Sequence, residues 1–302
     1  MNVSIVVPVR NNEEMIGDCI ESLLAQDFPK DDYEIIVVDN NSTDKTAETI
    51  KRYHVKYLFE EKIGASFARN TGIKNSSGEI VAFTDSDCIA DRKWLREIVK
   101  GFKKDNAACV GGEILGYTPA KTAVEQFLNT IDYLSQHKRF NERGEQEENG
   151  EFPVYSPTGN VAYKRDILVE VEMFDTNINS GEDTDLSWRV QWAGYKIIFE
   201  RKALIWHKNI RTVTGMFRRF FRVGYTRPFL INKHMKRFNK RIFVKKDRFV
   251  SLIKHLCLII PLLIIGKNKE AKMKPLFLVI LDMAMIGGRI YGSIRNRIVY
   301  LY

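Results

Sequence analysis

Four short runs rich in β-branched residues, VSIVVPV (3–9), YEIIVVD (33–39), VKYLF (55–59) and EIVAFTD (79–85), recur near the start of the chain with helical patterns between them. Each run is bounded by polar or turn residues, as strands are. Between the first two, Ile16, Cys19, Ile20, Leu23 and Leu24 keep the i, i+3, i+4, i+7, i+8 spacing of one buried helix face. Ahead of the helical stretch TAETIKRY, Ser42 or Thr43 can serve as the N-cap. Strand and helix in alternation predict an α/β fold, a parallel sheet covered by helices, with its ligand beyond the carboxyl ends of the strands.

Those strand ends are acidic. Asp39 closes the second run, and Asp85 and Asp87 close the fourth within VAFTDSDCIA. If the two strands are neighbours, the three carboxylates face one crevice. Two carboxylates repel by about 4 kcal/mol at roughly 4 Å and an effective dielectric near 20, so positive charge is expected beside them. Hard cations such as Mn²⁺ or Mg²⁺ take one or two protein carboxylates and leave positions for substrate phosphates. A D-x-D pair alone is weak, because aspartates at strand ends commonly serve turns.

Charge is unevenly spread. Residues 208–248 hold 14 Lys and Arg against the single acid Asp247, and +13 there against +9 for the whole chain leaves the rest at −4. Cys19, Cys88, Cys109 and Cys257 lie far apart with no C-x-x-C pair, which argues against a zinc site or a disulfide framework and fits a reducing compartment. MNVSIVVPVR lacks a basic leader and Pro8 interrupts its apolar run, so it does not read as a secretory signal and the catalytic body is expected in the cytoplasm.

Further along, ERGEQEENGE (142–151) reads as a charged loop. SPTGNVAYKRDIL reads as a turn, a strand and a helix start, and INSGEDTDLSWRVQWAGYKIIFERKALIWH as a helix with two strands behind it. Residues 1–207 are expected to form one unit, 208–248 a basic amphipathic collar, and 249–302 apolar helices with a basic tail. In the collar, Val213, Met216, Phe217, Phe220, Phe221 and Tyr225 make one helix face, with Arg218, Arg219 and Arg222 elsewhere. Such a helix can lie on an anionic membrane or pack on its own domain. The apolar segments 255–266 and 275–288 are each shorter than the roughly 18–20 residues of a membrane span. The first is preceded by Lys254, the second carries Asp282, and Lys267, Lys269, Lys272 and Lys274 lie in or beside the linker between them. We read both as interfacial or re-entrant helices at the cytoplasmic face of the membrane, with a two-span hairpin or a pair of buried soluble helices as alternatives.

Taken together, VSIVVPVRNNE, EIIVVDNNSTDKT, GASFARNTGI, IVAFTDSDC, SPTGNVAYKRDIL and GEDTDLSWRVQWAGYKIIFERKALIWH give a chain that resembles, from residue 3 to about 207, the inverting glycosyltransferases of family 2 with the GT-A fold. The resemblance implies a Rossmann-like, mostly parallel sheet that binds a nucleotide-diphosphate sugar, followed here by amphipathic and apolar helices. It implies that Pro8, Arg10 and Asp39 shape the base pocket, that Arg69 lies near the nucleotide or diphosphate, and that Asp85 faces the ribose or the metal. Asp87 would ligate Mn²⁺ or Mg²⁺, with His207 near the metal or diphosphate. Asp183 would be the general base, supported by Glu182 and Asp185, and Arg218, Arg219 and Arg222 would contact the diphosphate or the membrane. A helix start at Asp183 would lower its pKa and keep it ionised. The expected donor is a UDP-sugar, with GDP or dTDP as alternatives, and the expected acceptor is a lipid-linked or polysaccharide hydroxyl.

Each of these residues also has a plainer reading: a helix-terminal carboxylate for Asp183, a satisfied strand-end histidine for His207, an Asx-turn for Asp39, a surface helix arginine for Arg69. Trp188 and Trp192 read as helix packing. The chain departs from the family pattern at Asn40 and Asn41, where an aspartate and a glycine are common, and at Glu172 and Met173, where a glycine pair is common. PVRNNEE after the first strand has no Gly-rich phosphate loop and no G-x-G-x-x-G, which argues against a sugar-phosphate nucleotidyltransferase and against a Rossmann dehydrogenase. The remaining alternative is a non-catalytic membrane or nucleic-acid binder that uses the collar; no nucleic-acid partner is expected of the transferase.

Overall fold

The computed structural model describes residues 1–104, 106–135, 140–141, 144–145, 152–178, 180–238, 242–244, 247–265 and 269–301. In chain order the elements are β1 (Val3–Val9), α1 (Ile16–Leu24), β2 (Tyr33–Asp39), α2 (Thr46–Ile50), β3 (Lys56–Phe59), α3 (Ala65–Lys74), β4 (Ile80–Phe83), β5 (Cys88–Ala90), α4 (Trp94–Gly101) and β6 (Ala107–Gly116). They continue with α5 (Ala123–Ile131), β7 (Val161–Lys164), α6 (Arg165–Glu170), α7 (Glu182–Trp192), β8 (Lys196–His207), α8 (Val213–Lys233), β9 (Ile242–Val244), α9 (Asp247–Ile265), α10 (Lys269–Arg295) and β10 (Val299–Leu301). They divide into two compact units, Met1–Tyr117 with Asp132–Lys208, and Thr118–Ile131 with Asn209–Tyr302.

The first unit is built on an eight-stranded sheet of order β3-β2-β1-β4-β7-β6-β8-β5. β3, β2, β1 and β4 run parallel, β7 is antiparallel to both β4 and β6, and β5 is antiparallel to β8. The strands alternate sides cleanly. Ile5, Val7, Ile35 and Val37 pack with Ile16, Ile20 and Leu23 of α1 and with Trp94 and Leu95 of α4. Val6, Ile36 and Val38 pack on the other face with Ala68 and Ile73 of α3 and with Leu186 and Val190 of α7. Full burial of one such side chain stabilises by about 1.5–3 kcal/mol, so this two-faced core is what fixes the register of the strand ends.

Three local expectations change. β2 and β4 are not neighbours: β1 lies between them, paired to both. α2 starts at Thr46, and the side chain that meets its start is Asp44, which accepts the Thr46 N–H at 3.0 Å; neither Ser42 nor Thr43 caps it. The two strands behind α7 are one, β8, whose register with β6 slips at Gly112/Glu113 and skips from Glu200 to Leu204. The bulge absorbs the polar ERK stretch that reads as a turn in the sequence. Most of the charged loop at 142–151 lies outside the described residues, as do Lys240, Arg241, Lys245 and Lys246 of the collar.

In the second unit α8, α9 and α10 pack together, and α10 also packs on α5. α8 and α10 approach backbone to backbone. A Cβ on Gly224 would stand 2.3 Å from the Met285 carbonyl oxygen, and one on Gly288 would stand 2.0 Å from that of Phe221. Small residues at reciprocal positions permit that approach. Met216 and Phe220 of α8 are buried, whereas Val213 and Phe217 of the same expected face are exposed. The apolar helices are longer than the sequence segments, 19 residues in α9 and 27 in α10, because the helical backbone runs on through the flanking polar residues. Met273–Arg295 is long and apolar enough to cross a membrane, and half of its apolar window is buried inside the structure. Asp282 is fully buried on α10 and bonded to Ser251 at 3.1 Å and to His255 at 2.7 Å.

Candidate active site

The carboxyl ends of β1 and β2 are tied to each other by side chain to backbone bonds. Asn11 Oδ1 accepts the Thr43 N–H at 2.7 Å, the Asn12 N–H reaches Thr46 Oγ1 at 2.8 Å, and Glu13 Oε2 accepts the Lys45 N–H at 2.7 Å. Asn12 Nδ2 also donates to Ser86 Oγ at 2.8 Å, fastening the first loop to the residue between Asp85 and Asp87. Pro8 sits at the carboxyl end of β1, beyond the last pair of β1 with β4, and Arg10 is exposed just after it. Asp39 is buried at the end of β2. Its Oδ1 accepts the Ser42 N–H at 3.0 Å and its Oδ2 accepts the Tyr57 hydroxyl at 3.1 Å, so the Asx-turn reading describes its contacts. Burial and Asp39 together push the Tyr57 hydroxyl up to about 12.

Asn40 and Asn41 each have a local structural role. Asn40 is buried, donates to the carbonyls of Glu60 and Lys62, and accepts the Gly64 N–H at 2.7 Å, which fixes the loop leading into α3. Asn41 adopts φ 60°, the left-handed region that asparagine tolerates best after glycine. The second departure behaves likewise. Glu172 and Met173 have φ 63° and 54°, and the chain holds them there with Arg189, which donates to the carbonyls of Val171 and Met173. Arg189 is in turn fixed by the fully buried Asp185 at 2.8 Å. Asp185 therefore acts on this loop through Arg189.

Arg69 is no surface arginine. Carried on α3, its side chain is 5 % exposed and donates at 2.9 Å to both Asp85 Oδ1 and Glu182 Oε1. Its guanidinium also lies 5.6 Å from the centre of the Phe174 ring. This is the positive charge that the Asp85–Asp87 pair calls for. Nε of the same guanidinium is buried with no partner among the described residues.

Glu182 and Asp183 open α7, and the residue before them, Gly181, has φ 84°, a turn that glycine makes without strain. Asp183 accepts its neighbour's backbone N–H, from Thr184, at 2.6 Å. Contrary to the expectation from the helix start, its pKa is pushed up, to about 7. Burial comes first and the Glu182 charge second, and together they outweigh the Thr184 hydrogen bonds and Arg69. A carboxyl poised near neutrality can accept a proton and pass it on.

Asp87 and His207 meet because β5 and β8 pair at Cys88↔His207, and His207 Nε2 stands 3.5 Å from Asp87 Oδ2. The Lys208 N–H closes the same turn onto the Asp87 carbonyl at 2.9 Å. A carboxylate and an imidazole side by side are a donor set that Mn²⁺ accepts. Asp85 does not join them as a third ligand through Oδ1, which is taken by Arg69, and no group of three acid, His or Cys ligands forms among the described residues. Arg218 and Arg222 are exposed on α8 in the second unit. Trp188 is core: it is fully buried and donates to the Pro153 carbonyl at 3.0 Å.

Two residues of the quoted motif SPTGNVAYKRDIL, Gly159 and Asn160, have no role assigned from the sequence. Within SPTGN, the Gly159 carbonyl accepts the Thr84 hydroxyl at 3.0 Å, and a Cβ on Gly159 would stand 3.4 Å from Asp85 Oδ2. The next residue, Asn160, is fully buried and accepts the Trp94 indole N–H at 2.8 Å while donating to the carbonyls of Glu113 and Ala203 at 2.8 Å each. It locks the turn that lines Asp85. A short polar turn in a sequence gives no sign that its asparagine is buried among three elements.

Comparison with known proteins bears on the family and the fold. The model of the family described as Glycosyl transferase family 2 matches residues 4–171, more than half of the chain. Glycosyltransferase AglE of Haloferax volcanii is 30 % identical over 229 residues, 74 % of this chain and 71 % of AglE. The chain spans smaller shares of other curated relatives, 18 % of the full-length poly(ribitol-phosphate) beta-N-acetylglucosaminyltransferase TarS of Staphylococcus aureus. Among solved structures, mannosyltransferase PcManGT from Pyrobaculum calidifontis in complex with GDP-Man and Mn²⁺ superposes with a TM-score of 0.67 at 18 % identity, covering 96 % of this chain and 86 % of that one. TarS 1–349 in complex with UDP-GlcNAc superposes with a TM-score of 0.57 at 20 % identity, covering 99 % and 93 %. The chain thus belongs to glycosyl transferase family 2 and carries its GT-A-like fold.

Proposed function

We propose that the protein transfers a sugar from a nucleotide-diphosphate donor, a UDP-sugar in the first instance, to a hydroxyl of a lipid-linked or polymeric acceptor, with inversion at the anomeric carbon. The observation that carries this reading is the Arg69 bridge, which joins Asp85, just beyond β4, to Glu182, the neighbour of Asp183 at the start of α7. Relatives of this chain are named for such acceptors: one is a glucuronosyltransferase named for dolichyl N-acetyl-alpha-D-glucosaminyl phosphate, and another is a poly(ribitol-phosphate) beta-glucosyltransferase.

In this reading Asp183 takes the proton of the acceptor hydroxyl as that oxygen bonds to the anomeric carbon and the bond from that carbon to the diphosphate oxygen breaks. General base catalysis of this kind contributes about 10²–10⁴-fold. Asp87 and His207 would hold Mn²⁺ or Mg²⁺, whose chemistry when bound is to neutralise charge on the leaving diphosphate. Pro8, Arg10 and Asp39 would receive the base, with Asp39 exchanging its Ser42 or Tyr57 partner for it. Asp185 serves by holding the loop beyond α6 through Arg189.

The membrane part of the reading rests on the second unit. Val250 and Ile253 on α9 and Met283 and Ile294 on α10 are 55–73 % exposed. An exposed apolar set of this kind, on α10 with its long apolar window and on α9 with the shorter apolar stretch Phe249–Leu258, suits a membrane surface. The test is incubation of the full chain with UDP-, GDP- and dTDP-sugars and lipid acceptors, following nucleoside diphosphate release and the anomeric configuration of the product by NMR. Inversion with loss of activity in Asp183→Asn supports the reading; retention of configuration refutes it.

A further inference from the structure

A cavity of about 290 Å³ opens in the second unit, between the start of α5 and the first turns of α10. Its floor is apolar: Phe127 and Phe277 are both buried, with ring centres 5.1 Å apart, and Met273 lies beside them. Lys121, just ahead of α5, and Lys274, on α10, line it as well and supply its positive charge.

Neither lysine ammonium has an ion pair or hydrogen bond among the described residues. The acid closest in sequence is committed elsewhere. Glu125 Oε2 accepts the N–H groups of Lys121 and Thr122 at 2.8 and 2.9 Å, and its Oε1 is paired with Arg211 at 3.3 Å. The same contacts occupy two N–H groups just ahead of α5, and the Glu125 N–H is taken by Thr122 Oγ1 at 3.2 Å, so the partners offered to an anion here are the lysine side chains. Two cations above an aromatic floor call for a ligand with a compact charge of about −2 and a short apolar stem.

We propose that this pocket binds the head of a membrane lipid that ends in a phosphate monoester, with the phosphate between Lys121 and Lys274 and the first methylenes on Phe127 and Phe277. The lipid is favoured over free phosphate because the pocket has an apolar floor and because Lys274 stands at the very start of the apolar window Met273–Arg295. That is the level at which lysines reach phosphate heads while their stems lie on apolar surface. The proposal shares only the membrane with the transfer reading and holds whatever the acceptor is.

The test is calorimetric titration of the full chain with dihexanoyl phosphatidic acid below its micelle concentration, beside dihexanoyl phosphatidylcholine and inorganic phosphate. The expected result is one-to-one binding of the phosphatidic acid, much weaker binding of the other two, and a loss of about tenfold or more in affinity in Lys121→Gln/Lys274→Gln. Lys202→Gln, on the first unit, should leave it unchanged. Equal binding by the double variant, by phosphatidylcholine or by inorganic phosphate overturns the proposal. UDP binding measured on the same preparations reports on the transfer site separately, so failure of one does not mask the other.

Discussion

Arg69 Nη1 stands 2.9 Å from Glu182 Oε1 although 113 residues separate the two in the chain. The contact ties α3 to the first turn of α7, and the same guanidinium lowers the pKa of Asp183, acting against burial and Glu182. Arg69→Met should therefore leave Glu182 and Asp85 without their cation. We expect a stability loss of about 3 kcal/mol, at the low end for a broken buried pair because the Asp85 side chain is 36 % exposed. We also expect the pH midpoint of activity to move upward. Thermal unfolding and a pH profile of kcat/KM measure the two effects; an unmoved midpoint would separate Arg69 from the base.

Asp183→Asn should cost about 10²–10⁴-fold in transfer while donor affinity stays within a fewfold of the parent. Comparing kcat with donor binding by calorimetry distinguishes this from collapse of the site, in which both would fall.

The wild-type pH dependence has a defined sign. Asp183 binds its proton more tightly folded than unfolded, since its value is raised from an ordinary 3.8 to about 7. Between those values stability falls as pH rises, and above about 7 the loss is complete. Activity should do the reverse, rising through pH 7 as the base ionises. Melting temperatures of the parent and Asp183→Asn at pH 5 and pH 8 check this: the variant should gain on the parent at the higher pH.

Asn160→Ala leaves the Trp94 indole N–H and two buried carbonyls without their partner. A loss of about 3 kcal/mol or more is expected, given roughly 1–3 kcal/mol for each of the three buried polar groups left unpaired. The turn against Asp85 loosens with it, so donor affinity should fall as well. Urea unfolding and UDP titration measure both.

Gly288→Ala should damage the second unit, because its Cβ would stand 2.0 Å from a backbone oxygen that has no rotamer with which to move away. Overpacking of this kind costs about 1–3 kcal/mol. UDP affinity, which the proposed function assigns to the first unit, should be retained, and near-equal losses in both would contradict the assignment of these helices to a separate unit.

Much of this was legible in the sequence because strand runs and strand-end acids obey local rules. Strand and helix alternation gives β1 to β4, and motif order gives the family. Two kinds of feature were hidden. The raised pKa of Asp183 depends on its burial and on Glu182, which outweigh the helix start that the local sequence displays. Arg69 looks like any helix arginine until Asp85 and Glu182 are brought to it from 16 and 113 residues away. The buried Asn160 and the long strand β8, with its bulge over a polar stretch, are tertiary outcomes with no periodic signal. By contrast, Asn41, Glu172 and Met173, which depart from the family's glycines, mark positions where the backbone does turn left-handed.

The most direct measurement is calorimetric titration of UDP into the full chain with and without Mn²⁺, for the parent, Asp87→Ala and His207→Ala. The account predicts UDP binding that Mn²⁺ strengthens in the parent and that both variants reduce to the metal-free level. UDP binding that is indifferent to Mn²⁺ in all three would contradict the assignment of Asp87 and His207 as the cation's ligands, and no binding of UDP, GDP or dTDP by the parent would contradict the nucleotide-sugar reading itself.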